Sequence, residues 1–257
     1  MLIRYPGSKD KHLRFLRPYL LDAVERNPHL VEPFTGTAAV TFDLLKQKKL
    51  ESYVINDFDP AMSALWNVVK ASPQSLIQAI KNFAPNVNDF YRFKEEPGNT
   101  EFELAFRKVV LHQTSYSGLG AMAGGPLGGR HQRSEYGIDC RWRPNTLEKN
   151  IFQCSELLNS IEGEVTNLPW EEVISEYKDS HFIYLDPPYY VKGSTLYTAG
   201  TIDHEGLAEA LKDTKEWVLS YDDAPEVREL YEWAEISRLD VRSHLHHRVI
   251  GDLVITP

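Results

Sequence analysis

The sequence predicts an α/β fold in which a mainly helical insertion interrupts a sheet of buried strands. Short apolar runs that end at acidic or glycine-containing turns recur near residues 30, 54, 183 and 218, which is the pattern of strands that lead into a site. From about residue 61 to residue 147 the strand signal fades and helical periodicity replaces it. With 257 residues the chain is long enough to bury a sizeable core around such a sheet.

The composition excludes several classes of protein. Hydrophobic content of 42% with 25% charged residues is that of a globular chain, and no run of about eighteen apolar residues predicts a membrane span. The formal net charge of −9 argues against general electrostatic affinity for nucleic acid, so such a partner has to meet a local basic patch. Two cysteines, Cys140 and Cys154, are too few for a disulfide framework or a zinc site. We therefore expect a cytoplasmic protein without a bound metal.

The most informative stretch is the apolar run Phe182–Leu185, followed by an acid, two prolines and two tyrosines. Pro187 ends the strand, which places Asp186 at its carboxyl end, where open α/β sheets bind their ligands. Pro187 and Pro188 fix two φ angles and remove two N–H donors, so the turn is stiff and rich in acceptors. This turn suits an amino group on a planar heterocycle, with Tyr189 stacked on the ring. The alternative is a proline-rich turn with a capping aspartate.

Two earlier stretches also place turns at strand ends. Residues 29–40 predict a strand, a tight turn at Gly36 and a helix capped by Thr37, a unit that binds cofactors by close backbone approach. The run Tyr53–Ile55 predicts a second strand with Asp57 at its carboxyl end. A carboxylate there can accept from both vicinal hydroxyls of a ribose. The alternative is that Asp57 caps the following helix.

A glycine- and arginine-rich segment lies inside the helical region. Residues 117–129 hold six of the fifteen glycines, and four arginines follow within fourteen residues. Such side chains can contact phosphates, pair with guanine edges or wedge at an unstacked base. The alternative is a solvated loop in which Glu135 and Asp139 cancel part of the charge. The candidates for DNA contact are Arg130, Arg133, Arg141, Trp142 and Arg143.

Together these stretches resemble Dam-like, alpha-group N6-adenine DNA methyltransferases. Residues 5–9 resemble the amino-terminal Y-x-G-x-K element, and E-P-F-x-G-x-A at residues 32–38 resembles motif I, usually written D-P-F-x-G-x-G. Asp57 and Phe58 resemble the second motif, and D-P-P-Y at residues 186–189 resembles the catalytic motif. The order of the motifs is that of the family, with the helical insertion before D-P-P-Y.

The resemblance implies a Rossmann-like S-adenosylmethionine-dependent methyltransferase core, formed by residues 1–60 and 146–257. Residues 61–145 would form an inserted helical lobe that recognises the DNA target. S-adenosylmethionine would be the methyl donor. Its expected contacts are Tyr5, Lys9, Glu32, Phe34, Gly36, Asp57, Phe58, Asn167, Leu168 and Asp186. Asn167 stands where the family commonly has an acid, and its carbonyl oxygen can still accept from the cofactor's adenine.

The resemblance also implies the reaction. A target adenine would leave the duplex, and Asp186 with the Pro187 carbonyl would accept from its N6 amino group, so that the nitrogen lone pair meets the methyl group in line. The expected catalytic residues are Asp186, Pro187, Pro188 and Tyr189. The expected partners are double-stranded DNA with a short recognition site and a cognate restriction endonuclease. Two alternatives remain open: an RNA base or protein-glutamine methyltransferase with a similar motif, or a catalytically silent DNA-binding regulator.

Two further segments carry weaker expectations. Residues 191–200 are short, polar and flanked by glycines, and we expect a mobile loop that closes over substrate. His244, His246 and His247 have no acid or cysteine at supporting spacing, so they are interpreted as surface or strand histidines rather than metal ligands.

Overall fold

The computed structural model describes residues 2–5, 8–190, 202–242 and 249–257, with backbone alone at residues 11, 240–242 and 249–251. The expected loop at 191–200 and the three histidines at 244–247 lie outside the described residues. The chain divides into two compact units. The helical unit consists of residues 1–8 and 59–160, and the sheet unit consists of residues 9–58 and 161–257.

Within the described residues, the sheet unit contains seven strands in the order β3-β2-β1-β4-β5-β7-β6. The first five in this order pair in parallel, whereas β7 runs antiparallel to both β5 and β6. The strands are β1 His29–Glu32, β2 Ser52–Asn56, β3 Glu162–Thr166, β4 Phe182–Leu185, β5 Trp217–Asp222, β6 Glu235–Arg242 and β7 Val249–Thr256.

Ten α-helices are described. They are α1 Leu13–Arg26, α2 Ala39–Lys46, α3 Pro60–Ala71, α4 Pro73–Asn82, α5 Val87–Glu95, α6 Glu101–Thr114, α7 Pro144–Leu158, α8 Trp170–Tyr177, α9 His204–Lys212 and α10 Pro225–Leu230. Helices α3 to α7 belong to the helical unit and the others to the sheet unit. None of the helices in the described ranges is long and apolar enough to cross a membrane.

The order of the strands defines where a ligand can bind. From β1 the chain continues to β2 and β3 on one side, and from β4 it continues to β5 on the other. Neighbouring β1 and β4 therefore form a topological switch point, and open α/β sheets bind their ligands outside the carboxyl ends of the strands at such a point. Gly36 follows β1, Asp57 follows β2 and Asp186 follows β4. The sequence correctly predicted an α/β fold with these three residues at strand ends, and parallel pairing places them at one edge.

The core of the sheet unit explains why these short runs are strands. Every side chain of β4 is buried, and β1 is buried from Leu30 onward. A strand covered on both faces needs apolar residues without alternation, which is the pattern that F-I-Y-L shows. Side chains of β5 and β7, including Trp217, Leu219 and Ile255, complete the same cluster.

The helical unit is built by packing between α3 and α6 and between α4 and α7. Phe83 lies at the centre of an aromatic group and makes edge contacts with Phe93, Phe106 and Trp142. Helix α7 also packs on α3, so residues 146–160 cluster with this unit, whereas the sequence analysis assigned them to the core. Helix α5 was not predicted, and its start is capped by Asn86, which accepts from the amide of Asp89.

Candidate active site

Asp186 lies at the carboxyl end of β4 in an ion pair with Lys9. The Lys9 Nζ atom is 2.6 Å from Asp186 Oδ1, and the two side chains are only 7% and 15% exposed. Burial raises the pKa of Asp186 to about 6, although Lys9 opposes this effect. Because that pKa lies below neutrality, the carboxylate is ionised at pH 7 and can accept hydrogen bonds.

The prolines and tyrosines after Asp186 form a braced turn. Pro187 and Pro188 are buried. The Tyr189 hydroxyl accepts from Lys9 Nζ at 2.7 Å and donates to Asp252 Oδ2 at 2.9 Å. The backbone of the next residue, Tyr190, donates to Asp222 Oδ1 at 3.0 Å. The turn is therefore held by carboxylates from two neighbouring strands, β5 and β7.

Glu32, at the end of β1, anchors the start of α2. Its Oε1 atom accepts from the amide of Thr41 at 2.7 Å and from the Thr41 hydroxyl. Burial raises the pKa of Glu32 to about 8. The expected cap by Thr37 is wrong, because α2 begins after Ala38 without a side-chain cap. The buried glutamate satisfies the helix amide instead.

The turn between β1 and α2 reaches the second strand end through its backbone. The Gly36 amide donates to Asp57 Oδ2 at 2.8 Å. Ala38, which replaces the last glycine of the motif, adopts φ 53°, a conformation that glycine accommodates best. Asp57 does not cap α3, since the cap is Asp59, which accepts from the Ala61 amide at 2.9 Å. The interpretation of Asp57 as a capping residue is thus excluded.

Two further expected cofactor residues, Asn167 and Phe58, lie next to Asp57, whereas Phe34 packs elsewhere in the sheet unit. The Asn167 side chain donates to the Asp57 carbonyl at 2.7 Å. The Phe58 ring is 58% exposed, whereas Phe34 packs against Trp170 with ring centroids 6.5 Å apart. An acidic side chain, an amide and an exposed ring near one strand end match the parts of a nucleoside.

Asn56 connects these segments and was not among the residues predicted from the sequence. Its side chain is completely buried at the end of β2. The Nδ2 group donates to the carbonyls of Pro33 and Leu168 at 2.9 and 3.0 Å. The Oδ1 atom accepts from the Leu168 amide and the Thr166 hydroxyl, both at 2.8 Å. One side chain therefore joins the turns that follow β1, β2 and β3. An asparagine before an acid at a strand end was the available signal.

Tyr5 lies in the helical unit, where its ring centroid is 5.7 Å from that of His112. The His112 Nδ1 atom lies 2.8 Å from the Arg4 carbonyl and 2.9 Å from the Gly118 carbonyl. Burial lowers the pKa of His112 to about 4, so the ring is neutral and Nδ1–H donates. A Cβ at Gly120 would be 2.6 Å from His112 Nε2. Part of the glycine-rich segment is thus tightly packed.

The candidate DNA-binding arginines are exposed on the helical unit, and the loop that carries two of them is fixed by Gln132. The Gln132 Nε2 group donates to the carbonyls of Leu127 and Gly129, and its Oε1 atom accepts from the Ile138 amide at 2.7 Å. Trp142 is half-buried, and its Nε1–H donates to the Phe83 carbonyl at 3.1 Å. The exposed arginines are Arg130, Arg133, Arg141 and Arg143.

The described residues contain no group of three or more His, Cys, Asp or Glu side chains that could hold a metal ion.

Two tyrosines near the candidate DNA-binding arginines in the sequence, Tyr116 and Tyr136, are 69% and 63% exposed. The sequence analysis did not single them out, because aromatic residues are usually core residues.

Comparison with known proteins agrees with this geometry. The chain is 26% identical over 220 residues to the type II methyltransferase M1.LlaDCHI of Lactococcus lactis subsp. cremoris. This match covers 80% of this chain and 70% of the relative. It is 25% identical over 237 residues to the DNA adenine methylase of Haemophilus influenzae, covering 83% and 77%. The type II methyltransferase M.MjaIII of Methanocaldococcus jannaschii is 25% identical over 178 residues, covering 62% and 57%. The model of the D12 class N6 adenine-specific DNA methyltransferases matches residues 5–245, and the chain therefore belongs to that family.

Proposed function

We propose that the protein transfers the methyl group of S-adenosylmethionine to N6 of an adenine within a short site in duplex DNA. The observation that carries this proposal is the position of Asp186. An ionised carboxylate on a proline-stiffened turn lies at the same strand edge as Gly36 and Asp57, beside the switch point of the sheet. Family membership supplies the reaction class.

The cofactor is assigned to the strand ends of the sheet unit. Asp57 would accept from the ribose hydroxyls, Phe58 would contact the adenine ring, and Asn167 with Leu168 would contact the adenine edge. Glu32, Phe34 and Gly36 shape the turn on the methionine side, whereas Lys9 and Asp186 lie toward the reacting methyl group. When bound, S-adenosylmethionine supplies an electrophilic methyl group on a sulfonium. The acceptors and the exposed ring observed here fit a nucleoside. Tyr5 is assigned to the cofactor by the resemblance of its motif.

The catalytic residues act by positioning and by electrostatics. The Asp186 carboxylate and the Pro187 carbonyl accept from the two N6 hydrogens, which turns the nitrogen lone pair toward the methyl group. Pro188 keeps the turn stiff, and Tyr189 stacks on the base. Holding both reactants in line can contribute roughly 7 to 11 kcal/mol to lowering the barrier. Asp186 need not act as a strong base, because the methylated amine loses its proton after transfer.

DNA contact is assigned to residues 61–145 of the helical unit. Exposed arginines supply the local basic patch that a chain with net charge −9 needs for this partner. The candidates are Arg130, Arg133, Arg141, Trp142 and Arg143. Two relatives are named type II methyltransferases, so we include a cognate restriction endonuclease among the proposed partners. The location that we propose for this reaction is the cytoplasm.

The test is incubation of the protein with methyl-labelled S-adenosylmethionine and, in parallel, unmethylated duplex DNA, structured RNA and a cell protein extract. Digestion to nucleosides or amino acids then locates the label. Label in N6-methyladenine from DNA supports the proposal. Label in RNA or on glutamine supports the first alternative, and tight DNA binding without label supports a silent regulator.

A further inference from the structure

Asp252 is a buried carboxylate on β7 that the reaction described above does not use. Only 4% of the residue is exposed, and it pairs with Asp222 of β5 in the sheet register. A carboxylate removed from water is costly unless hydrogen bonds or charges compensate. Within the described ranges its side-chain partners are the Tyr189 hydroxyl at 2.9 Å and His12 Nε2 at 3.4 Å. Its stronger contact therefore leads to the D-P-P-Y turn.

The directions of the hydrogen bonds around Tyr189 are fixed by its neighbours. Lys9 Nζ has only protons to offer, so the Tyr189 oxygen accepts from it at 2.7 Å. Burial and the nearby charges of Asp186 and Asp252 raise the pKa of Tyr189 well above its ordinary value, so the hydroxyl keeps its proton. That proton is donated to Asp252. Lys9 also pairs with Asp186.

The result is one continuous chain of contacts. It runs from Asp252 through the Tyr189 hydroxyl and the Lys9 ammonium to Asp186, with each link between 2.6 and 2.9 Å. The Lys9 ammonium also lies 4.6 Å from the centre of the Tyr189 ring. An aromatic ring can rotate about its side-chain bonds, but a hydroxyl held at both of its hydrogen-bonding positions cannot move without breaking a contact.

We propose that Asp252 is a positioning residue of the methyl-transfer site. Through the Tyr189 hydroxyl it fixes the orientation of the ring that receives the target base, and it keeps Lys9 directed at Asp186. This inference rests on the proposed function, because it assigns the fixed ring to base stacking. A carboxylate on a late strand thereby contributes to a site whose motif lies more than sixty residues earlier in the chain.

The activity test is a double-mutant cycle between Asp252→Ala and Tyr189→Phe, with Asp252→Asn as the conservative variant. We expect Asp252→Ala and Tyr189→Phe each to lower the single-turnover methylation rate roughly tenfold, the size of one lost charge-assisted hydrogen bond. The double variant should be no slower than Tyr189→Phe alone. Asp252→Asn, whose amide oxygen still accepts from Tyr189, should restore most of the rate. Independent, multiplying losses, or an Asn variant as slow as the Ala variant, would overturn the inference.

A second readout does not depend on turnover. The measurement is an NMR spectrum of protein with isotope-labelled tyrosine rings. The Tyr189 signal is assigned by its absence from the spectrum of Tyr189→Phe. Asp252→Ala should shift and broaden that signal, whereas Asp252→Asn should leave it close to its original position. An unchanged Tyr189 signal in Asp252→Ala would overturn the inference. If Asp252→Ala does not fold, a methylation rate in Tyr189→Phe equal to that of the unaltered protein would overturn it instead. If the unaltered protein methylates no substrate, the proposed function fails, whereas the spectrum still tests whether Asp252 holds the ring.

Discussion

Two side-chain amides of this molecule, Asn56 and Gln132, each hold backbone segments together but differ in burial, and they lie in the regions that we propose for cofactor binding and for DNA contact. Asn56, at the end of β2, is completely buried and its side chain makes four hydrogen bonds, one to the turn after β1 and three to the end of β3 and the turn after it. Gln132 is half-buried and makes three hydrogen bonds inside one loop, which presents Arg130 and Arg133 to solvent. Buried polar groups lose more when a partner is removed, since water cannot replace it. The turns that we propose for cofactor binding should therefore depend more strongly on Asn56 than the arginine loop depends on Gln132.

The comparison predicts its largest effect at Asn56. Asn56→Ala leaves the Leu168 amide and the Pro33 and Leu168 carbonyls without their partner in the core, at about 1 to 3 kcal/mol for each unsatisfied group. We expect a loss of roughly 3 kcal/mol or more in the free energy of unfolding, and at least about a tenfold weaker affinity for S-adenosylmethionine. Denaturant titration and calorimetry measure the two effects. The control is Asn145→Ala, a change at an exposed asparagine. Equal stability and equal cofactor affinity of the two variants would contradict the role assigned to Asn56.

The buried Asp186 carboxylate predicts that the rate of methylation depends on pH. The pKa of Asp186 is raised to about 6 by burial, so the carboxylate gains a proton as the pH falls through 6. A protonated Asp186 loses its ion pair with Lys9 and accepts hydrogen bonds less well. We expect kcat/KM for DNA to be level above pH 7 and to fall about tenfold per pH unit below 6. Thermal melts at each pH control for acid unfolding. A level profile from pH 5 to 8 in folded protein contradicts this assignment.

In the more exposed arginine loop, the loss of Gln132 should have a smaller effect, and that effect should be confined to DNA binding. Gln132→Ala should weaken DNA binding by roughly three- to tenfold, because the loop must then be ordered on binding. The free energy of unfolding should change by less than it does in Asn56→Ala, since Gln132 is only half-buried. Affinity for the cofactor should not change. Fluorescence anisotropy with labelled duplex measures binding, and the exposed Gln153→Ala on α7 is the matched control. A change in cofactor affinity would break the separation of the two regions.

The smallest effect is expected for single arginines. Arg133→Ala should make the negative slope of log affinity against log salt shallower by about 0.9 if the side chain neutralises one phosphate. The loss should be similar for all DNA sequences. Lys49→Ala, a change at an exposed cation of the sheet unit, should leave the slope unchanged. A loss confined to one sequence would instead assign Arg133 to base recognition.

The strand ends could be predicted because their physical signals are local. An apolar run that stops at Asp57 or at Asp186 indicates a buried strand and its carboxyl end without any knowledge of the neighbours. A helix cap can be an equally local signal: the Asp203 side chain at the start of α9 accepts from the amide of Gly206, only three residues later.

What could not be predicted depends on contacts distant in sequence. Asn56 contacts residues up to 112 positions away, and Tyr189 contacts Lys9 across 180 positions and Asp252 across 63. Glu32 takes the capping role expected of Thr37 for the same reason: only the packed fold shows which acceptor reaches the start of α2. Periodicity gives no information about such pairs.

The most direct test of the account is the single-turnover rate of methyl transfer for Asp186→Ala, with DNA and cofactor both saturating. Loss of an acceptor that acts on the reacting nitrogen should lower the rate by roughly 10²-fold or more, while equilibrium binding shows that S-adenosylmethionine still binds. Melting temperatures verify that the variant is folded. A rate within about threefold of the unaltered protein would contradict the central claim that the Asp186 carboxylate directs the adenine amino group toward the methyl donor.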